Sequence, residues 1–116
     1  MEYHRTMSKK NIGVSGSKEF TAFYKSLEPN DPIKKNIDDA MDLLKQNPTI
    51  GDRIPEKLWP NKYIKKYGIN NLFRYSLRSN WRMIYTIMGY SNEIVCSILE
   101  VLDHKNYDIL FGYKTS

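Results

Sequence analysis

Eight of the thirty residues from Arg53 to Arg82 are lysine or arginine, and Glu56 is the only acid among them. That stretch is net +7 in a chain that is net +5 overall, so the remaining residues are net −2. Its cations are Arg53, Lys57, Lys62, Lys65, Lys66, Arg74, Arg78 and Arg82, interleaved with the rings of Trp59, Tyr63, Tyr67, Phe73, Tyr75 and Trp81. Fixed positive charge neutralises phosphates, and flat rings stack on bases, so the pattern suits a nucleic acid. Other reactive side chains are scarce: His4, His104 and a single cysteine, Cys96. A structural zinc site takes about four such ligands, so no metal site is expected. Cys96 lies in an apolar run with no histidine beside it, which favours a packed strand residue over a nucleophile.

The chain has 116 residues, enough for one domain with one core. No apolar stretch approaches the roughly 20 residues of a membrane helix, and the polar start, Met1 to Lys10, lacks the core of a secretion signal. One unpaired cysteine fits a reducing cytoplasm. Residues 1–10 are expected to form a loose charged arm, and 11–116 a single domain.

The elements that must position the cationic block follow from period and punctuation. Asn11 to Ser15 has strand spacing. Ser17 caps a helix reaching about Leu27, with Phe20, Phe23, Tyr24 and Leu27 on one face. Asp31 and Pro32 start a second helix whose buried stripe is Ile33, Ile37, Ala40, Met41 and Leu44, and Asn47-Pro48 stops it. Thr49 to Pro60 reads as a connector. Lys62 to Tyr67 reads as one helical turn closed by Gly68, with Lys62, Lys65 and Lys66 on its exposed side. Leu72–Arg78, Arg82–Met88 and Glu93–Leu102 read as three strands of an antiparallel meander. The expected class is α+β: a small antiparallel sheet, made of the N-terminal strand and the meander, with the two helices packed on one face.

Register decides which cations meet. A two-residue turn at Ser79-Asn80 puts Arg74 beside Tyr85 and mixes polar with apolar side chains. A three-residue turn pairs Arg78 with Arg82, Ser76 with Ile84 and Arg74 with Thr86, leaving Phe73, Tyr75, Leu77, Met83, Tyr85 and Ile87 on the other face. The second register is expected, with Arg74, Arg78 and Arg82 on one sheet surface. Like charges placed opposite one another oppose pairing, so that surface reads as an anion site.

The order strand, two helices, three strands, together with two sequence pieces, resembles the RelE/ParE superfamily of type II toxins over about Ile12 to Tyr113. One piece runs Leu72-Phe73-Arg74-Tyr75-Ser76-Leu77-Arg78-Ser79-Asn80-Trp81-Arg82-Met83-Ile84-Tyr85 and looks like the family's basic hairpin. The other, Ile98-Leu99-Glu100-Val101-Leu102-Asp103-His104-Lys105-Asn106-Tyr107, looks like its last strand running into a basic cluster and a tyrosine. The resemblance implies a ribosome-dependent endoribonuclease that cuts messenger RNA without a metal or small-molecule cofactor, and a partner antitoxin. In that chemistry the 2′-hydroxyl attacks the scissile phosphate and the 5′-oxygen leaves, which needs a base, charge stabilisation and an acid. On the matching positions the resemblance implies that Arg82 holds the phosphate with Arg74 and Arg78 assisting, that His104 moves a proton and is oriented by Asp103, that Tyr107 donates or stacks, and that Lys105 adds charge. Lys57, Lys62, Lys65 and Lys66 are expected to attract RNA phosphates more generally, the last three being otherwise a solubilising turn. Some family members carry lysines on the strand that here reads Arg74 and Ser76, which leaves Glu100 or His104 as base. The ParE branch shares the fold, lacks the nuclease residues and is known for acting on DNA gyrase, so the alternative expectation is a non-catalytic gyrase inhibitor of that kind, or an inactive module of the same fold that only binds nucleic acid or an antitoxin. Plainer roles stay open: an Arg82–Glu100 ion pair, a solvated Arg78, a His104 bonded to backbone, and a Tyr107 packed in the core.

Overall fold

A computed structural model describes residues 11–112; the expected N-terminal arm lies outside the described residues. Among them the elements run β1 (Asn11–Gly16), α1 (Lys18–Ser26), α2 (Pro32–Gln46), β2 (Asp52–Arg53), a 3-10 turn (Glu56–Leu58), α3 (Asn61–Tyr67), β3 (Phe73–Ser76), a tight turn (Arg78–Asn80), β4 (Arg82–Gly89), β5 (Glu93–Leu102) and α4 (His104–Phe111). The strands form one sheet in the order β1-β5-β4-β3-β2.

The helix starts are built as their sequences dictate. The Ser17 hydroxyl accepts from the Phe20 N–H at 3.0 Å, and the Asp31 carboxylate accepts from the Ile33 N–H at 2.9 Å with Pro32 next in line. The expected stripe is the core of the first layer: Ile37, Ala40 and Leu44 are fully buried against Phe73, Met83, Tyr85, Cys96 and Ile98 of the sheet. Burial pushes the Cys96 thiol up to about 11.

The architecture is α+β, as expected, with three differences. β1 runs parallel to β5, so the sheet is mixed. That follows from connectivity: α1 and α2 carry the chain back across one face, and the meander returns β5 alongside β1 in the same direction. The connector contributes a fifth strand, β2, two residues long and therefore without a readable period. The second sheet face is also covered. α3 and a C-terminal helix, α4, bury Tyr63, Leu72, Ile84, Leu99, Tyr107 and Phe111 in a separate core. Asp103 caps α4 by accepting from the Asn106 N–H at 2.9 Å, and Gly112 ends it in the left-handed region at φ 73°.

The hairpin keeps the expected face but not the expected partners. Observed pairs are Phe73 with Tyr85, Arg74 with Ile84, Tyr75 with Met83 and Ser76 with Arg82, two residues away from the expected register. Side-chain alternation is unchanged by a slip of two, so Phe73, Leu77, Met83 and Tyr85 still face α1 and α2. The slip exists because the turn is wider than three residues. Leu77 N–H donates to the Trp81 carbonyl at 2.8 Å, and Ser79 and Asn80 both take positive φ, 55° and 64°.

An irregularity on β5 sets the last side chains. Ile84 pairs with Glu100 and Tyr85 with Ile98, which leaves Leu99 as an extra residue. Ser17 secures it, its N–H donating to the Ile98 carbonyl at 2.8 Å and its hydroxyl to the Leu99 carbonyl at 2.6 Å. The bulge turns both Leu99 and Glu100 toward the second layer, where α3 lies.

Candidate nucleic-acid interface

Arg74 leaves β3 and Arg82 leaves β4 on the face covered by α4, and both reach the ring of Tyr107 of α4. The Arg74 Nη1 donates to the Tyr107 hydroxyl at 2.8 Å. The guanidinium carbons of Arg74 and Arg82 stand 5.8 and 5.7 Å from the centre of the Tyr107 ring. Both lie within the range of cation–π attraction, so the ring offsets part of the repulsion between the two cations. Tyr107 itself is only 3% exposed, while the Arg74 side chain is 31% exposed.

Arg82 sits opposite Leu102, the last residue of β5, so α4 begins immediately beside it. Its Nη1 makes a long contact of 3.4 Å to the Trp81 carbonyl, and its Nε is buried with no hydrogen-bond partner among the described residues. A buried, unsatisfied guanidinium N–H is costly, and an anion is the partner it fits best. Arg74 Nη2 lies 3.6 Å from the Asp52 carboxylate, which faces it across β2 and β3. Asp52 is largely exposed, so that pair is weak and screened.

Arg78 is not part of this cluster, contrary to the expected trio of arginines. The wide turn lifts it off the sheet, and its backbone N–H donates to the Asn36 side chain of α2 at 2.6 Å. It lies on the helix side, in a depression with Pro32, Lys35, Asn36 and Asp39.

His104 opens α4, exposed, with Nε2 3.2 Å from the Asp108 carboxylate one turn on. Asp103 does not orient it, because its carboxylate is engaged by Asn106 as the helix cap. Glu100 does not meet Arg82. It accepts from the Tyr63 hydroxyl at 2.7 Å and pairs with Lys62 at 3.3 Å. Burial, then Glu100, pushes the Tyr63 phenol well above its ordinary range.

The lysines divide. Lys62 and Lys66 are on an exposed side, as expected, but both are paired with carboxylates: Lys66 pairs with Glu19 of α1, which also accepts from the Tyr67 hydroxyl at 2.6 Å. The Lys66 ammonium and the Tyr67 hydroxyl hold the Glu19 carboxyl down at about 2. α3 is thus clamped to α1 and β5 by two Lys-Tyr pairs in successive turns. Lys57, Lys65 and Lys105 are exposed, and no ion pair among the described residues includes them. Asp52 beside Arg74 and Tyr63 beneath Glu100 were not singled out in the sequence, and Glu100, considered as a base or as a partner of Arg82, pairs with α3 instead. The i, i+4 repeat of Lys-Tyr at 62–63 and 66–67 was the available signal.

The arrangement sets two guanidinium groups against one ring, a cationic pair whose chemistry suits an anion. Comparison with individually curated proteins gives no match. The family profile described as ParE toxin of type II toxin–antitoxin system, parDE, matches residues 17–107. That span takes in α1, the whole meander and Tyr107, and it covers well over half of the chain, so this protein belongs to the ParE toxin family, within the RelE/ParE superfamily of type II toxins, and is a toxin with a cognate antitoxin.

Proposed function

We propose that this toxin acts on messenger RNA at the ribosome, binding a backbone phosphate between Arg74 and Arg82 and cleaving beside it. The observation that carries the reading is the pair of guanidinium groups against one tyrosine ring. In the step proposed, the 2′-oxygen attacks phosphorus, the 5′-oxygen leaves, and a cyclic phosphate and a 5′-hydroxyl remain. Charge grows on the non-bridging oxygens as the phosphorus becomes five-coordinate, and the two arginines stabilise it there. Tyr107, buried and accepting from Arg74, acts as a positioning residue. In this reading His104, exposed at the start of α4 and paired with Asp108, moves the proton. Lys57, Lys65 and Lys105 bind neighbouring phosphates.

Primer extension on ribosome-bound message, after induced expression, tests this. Cuts are expected with the native chain and should fall at least about a hundredfold with Arg82→Ala, the scale of losing one transition-state donor. A second reading is favoured by the burial of Tyr107 and by the family's ParE description: a non-catalytic toxin of the gyrase-inhibiting kind, with the arginine cluster as a binding patch. Intact message together with growth arrest and DNA damage would establish that reading instead.

A further inference from the structure

The connector that carries β2 is fixed to the sheet at several points. The hydroxyl of Tyr85, a fully buried ring, donates to the Pro48 carbonyl at 2.8 Å and accepts from the Gly51 N–H at 3.0 Å. A Cβ on Gly51 would stand 2.7 Å from the Arg74 carbonyl oxygen, so glycine is what lets the connector approach β3 this closely. Beyond β2 the Ile54 N–H donates to the Leu72 carbonyl at 2.8 Å. Between these anchors the register is set, with Asp52 opposite Arg74 and Arg53 opposite Phe73. Strand alternation then sends the two charges of β2 to different faces. The Arg53 guanidinium carbon lies 5.6 Å from the centre of the Phe73 ring, on the side of α1 and α2. Asp52 lies on the side of Arg74, Arg82 and Tyr107.

The Asp52 carboxylate is 75% exposed and 3.6 Å from Arg74 Nη2, so the pair adds little to stability. Its charge still enters the sum at the cationic site. Arg74 and Arg82 bring two positive charges and Asp52 one negative, which leaves a single positive charge on the three together. Glu100 and Asp108, the neighbouring carboxylates of that layer, already face Lys62 and His104. One positive charge balances an internal phosphodiester, which carries one negative charge. A phosphate monoester carries nearly two at neutral pH, and its second charge would meet the Asp52 carboxylate at short range.

We propose that Asp52 is a specificity-determining residue, which fits the arginine pair to the internal phosphodiester of a nucleic-acid chain and disfavours doubly charged phosphates such as nucleotides and chain ends. The proposal rests on the reading of Arg74 and Arg82 as a phosphate site and deepens it. The weakness of the ion pair is part of the device. Arg74 can turn from the carboxylate to the ligand at little cost, while β2 keeps the negative charge alongside.

The full-length toxin, titrated at low salt and about pH 7.5 with dimethyl phosphate and with methyl phosphate, tests this; the two probes differ by one methyl group and about one charge. The side-chain NMR signals of Arg74 and Arg82 report binding. Asp52→Asn should raise the affinity for methyl phosphate relative to dimethyl phosphate by about fivefold or more, and Asp52→Glu should keep the native ratio. An unchanged ratio in Asp52→Asn overturns the proposal while leaving the phosphate site in place. Arginine signals that respond to neither probe overturn the phosphate site and the proposal together. The expected change of ratio in a toxin that leaves message uncut supports the proposal and removes only the cleavage reading.

Discussion

Removing the Tyr107 hydroxyl while keeping its ring separates packing from polar support. In Tyr107→Phe the Arg74 Nη1 loses its acceptor, but the ring contacts of both arginines survive. Arg74 is exposed enough for water to replace the phenol in part, so the expected cost is about 1 kcal/mol of stability, measured by denaturant unfolding. Cleavage should fall only several-fold, because the hydroxyl positions a cation and does not meet solvent. His104→Ala is expected to behave in the opposite manner. The side chain is exposed and among the described residues pairs with Asp108 alone, so stability should hardly change while RNA cleavage falls about a hundredfold or more, with RNA affinity kept. If His104→Ala cuts as well as the native chain, the proton is moved elsewhere.

α3 shows how a short helix is held in place. Seven residues are too few to be stable alone, and neither end has a side-chain cap beyond the left-handed Gly68 at its C-terminus. Its anchors are Tyr63, fully buried, and the pairs Lys62-Tyr63 on Glu100 and Lys66-Tyr67 on Glu19. The Glu19 pair makes stability depend on pH with a definite sign. Its carboxyl is at about 2 when folded and near 4.5 when unfolded. The contribution is therefore fully present above about 4.5 and is lost as pH falls through about 2. Acid titration of stability should show an extra decline in that window for the native chain, and Glu19→Gln should lack it. The capped helices α1 and α2 and the long strands could be read from sequence because caps and apolar period act locally. α4 also carried a signal, Asp103 before and Gly112 after with Tyr107, Leu110 and Phe111 at helical offsets, but the resemblance to a basic tail hid it. β2 and the bulge at Leu99 had no local signal, since each exists only through its partner strand.

Across the whole molecule the charge of the basic stretch is split between two sides of the sheet. Arg74 and Arg82 face the α4 layer, Arg78 faces α2, and Lys62 and Lys66 are neutralised within the fold. RNA binding measured against salt should reveal the split: Arg82→Ala should lower the slope of log affinity on log salt by about one, and Arg78→Ala should leave it nearly unchanged. Equal losses for both variants would mean that RNA wraps both faces. By itself the sequence determined the two capped helices, the faces of the hairpin strands and the cationic character of the hairpin, because side-chain period and fixed charge are properties of the chain alone. Only the tertiary structure decided which cations gather and which are paired with carboxylates. That outcome depends on a turn two residues wider than the pattern required, on carboxylates distant in sequence, and on a terminal helix that brings Tyr107 against Arg74 and Arg82.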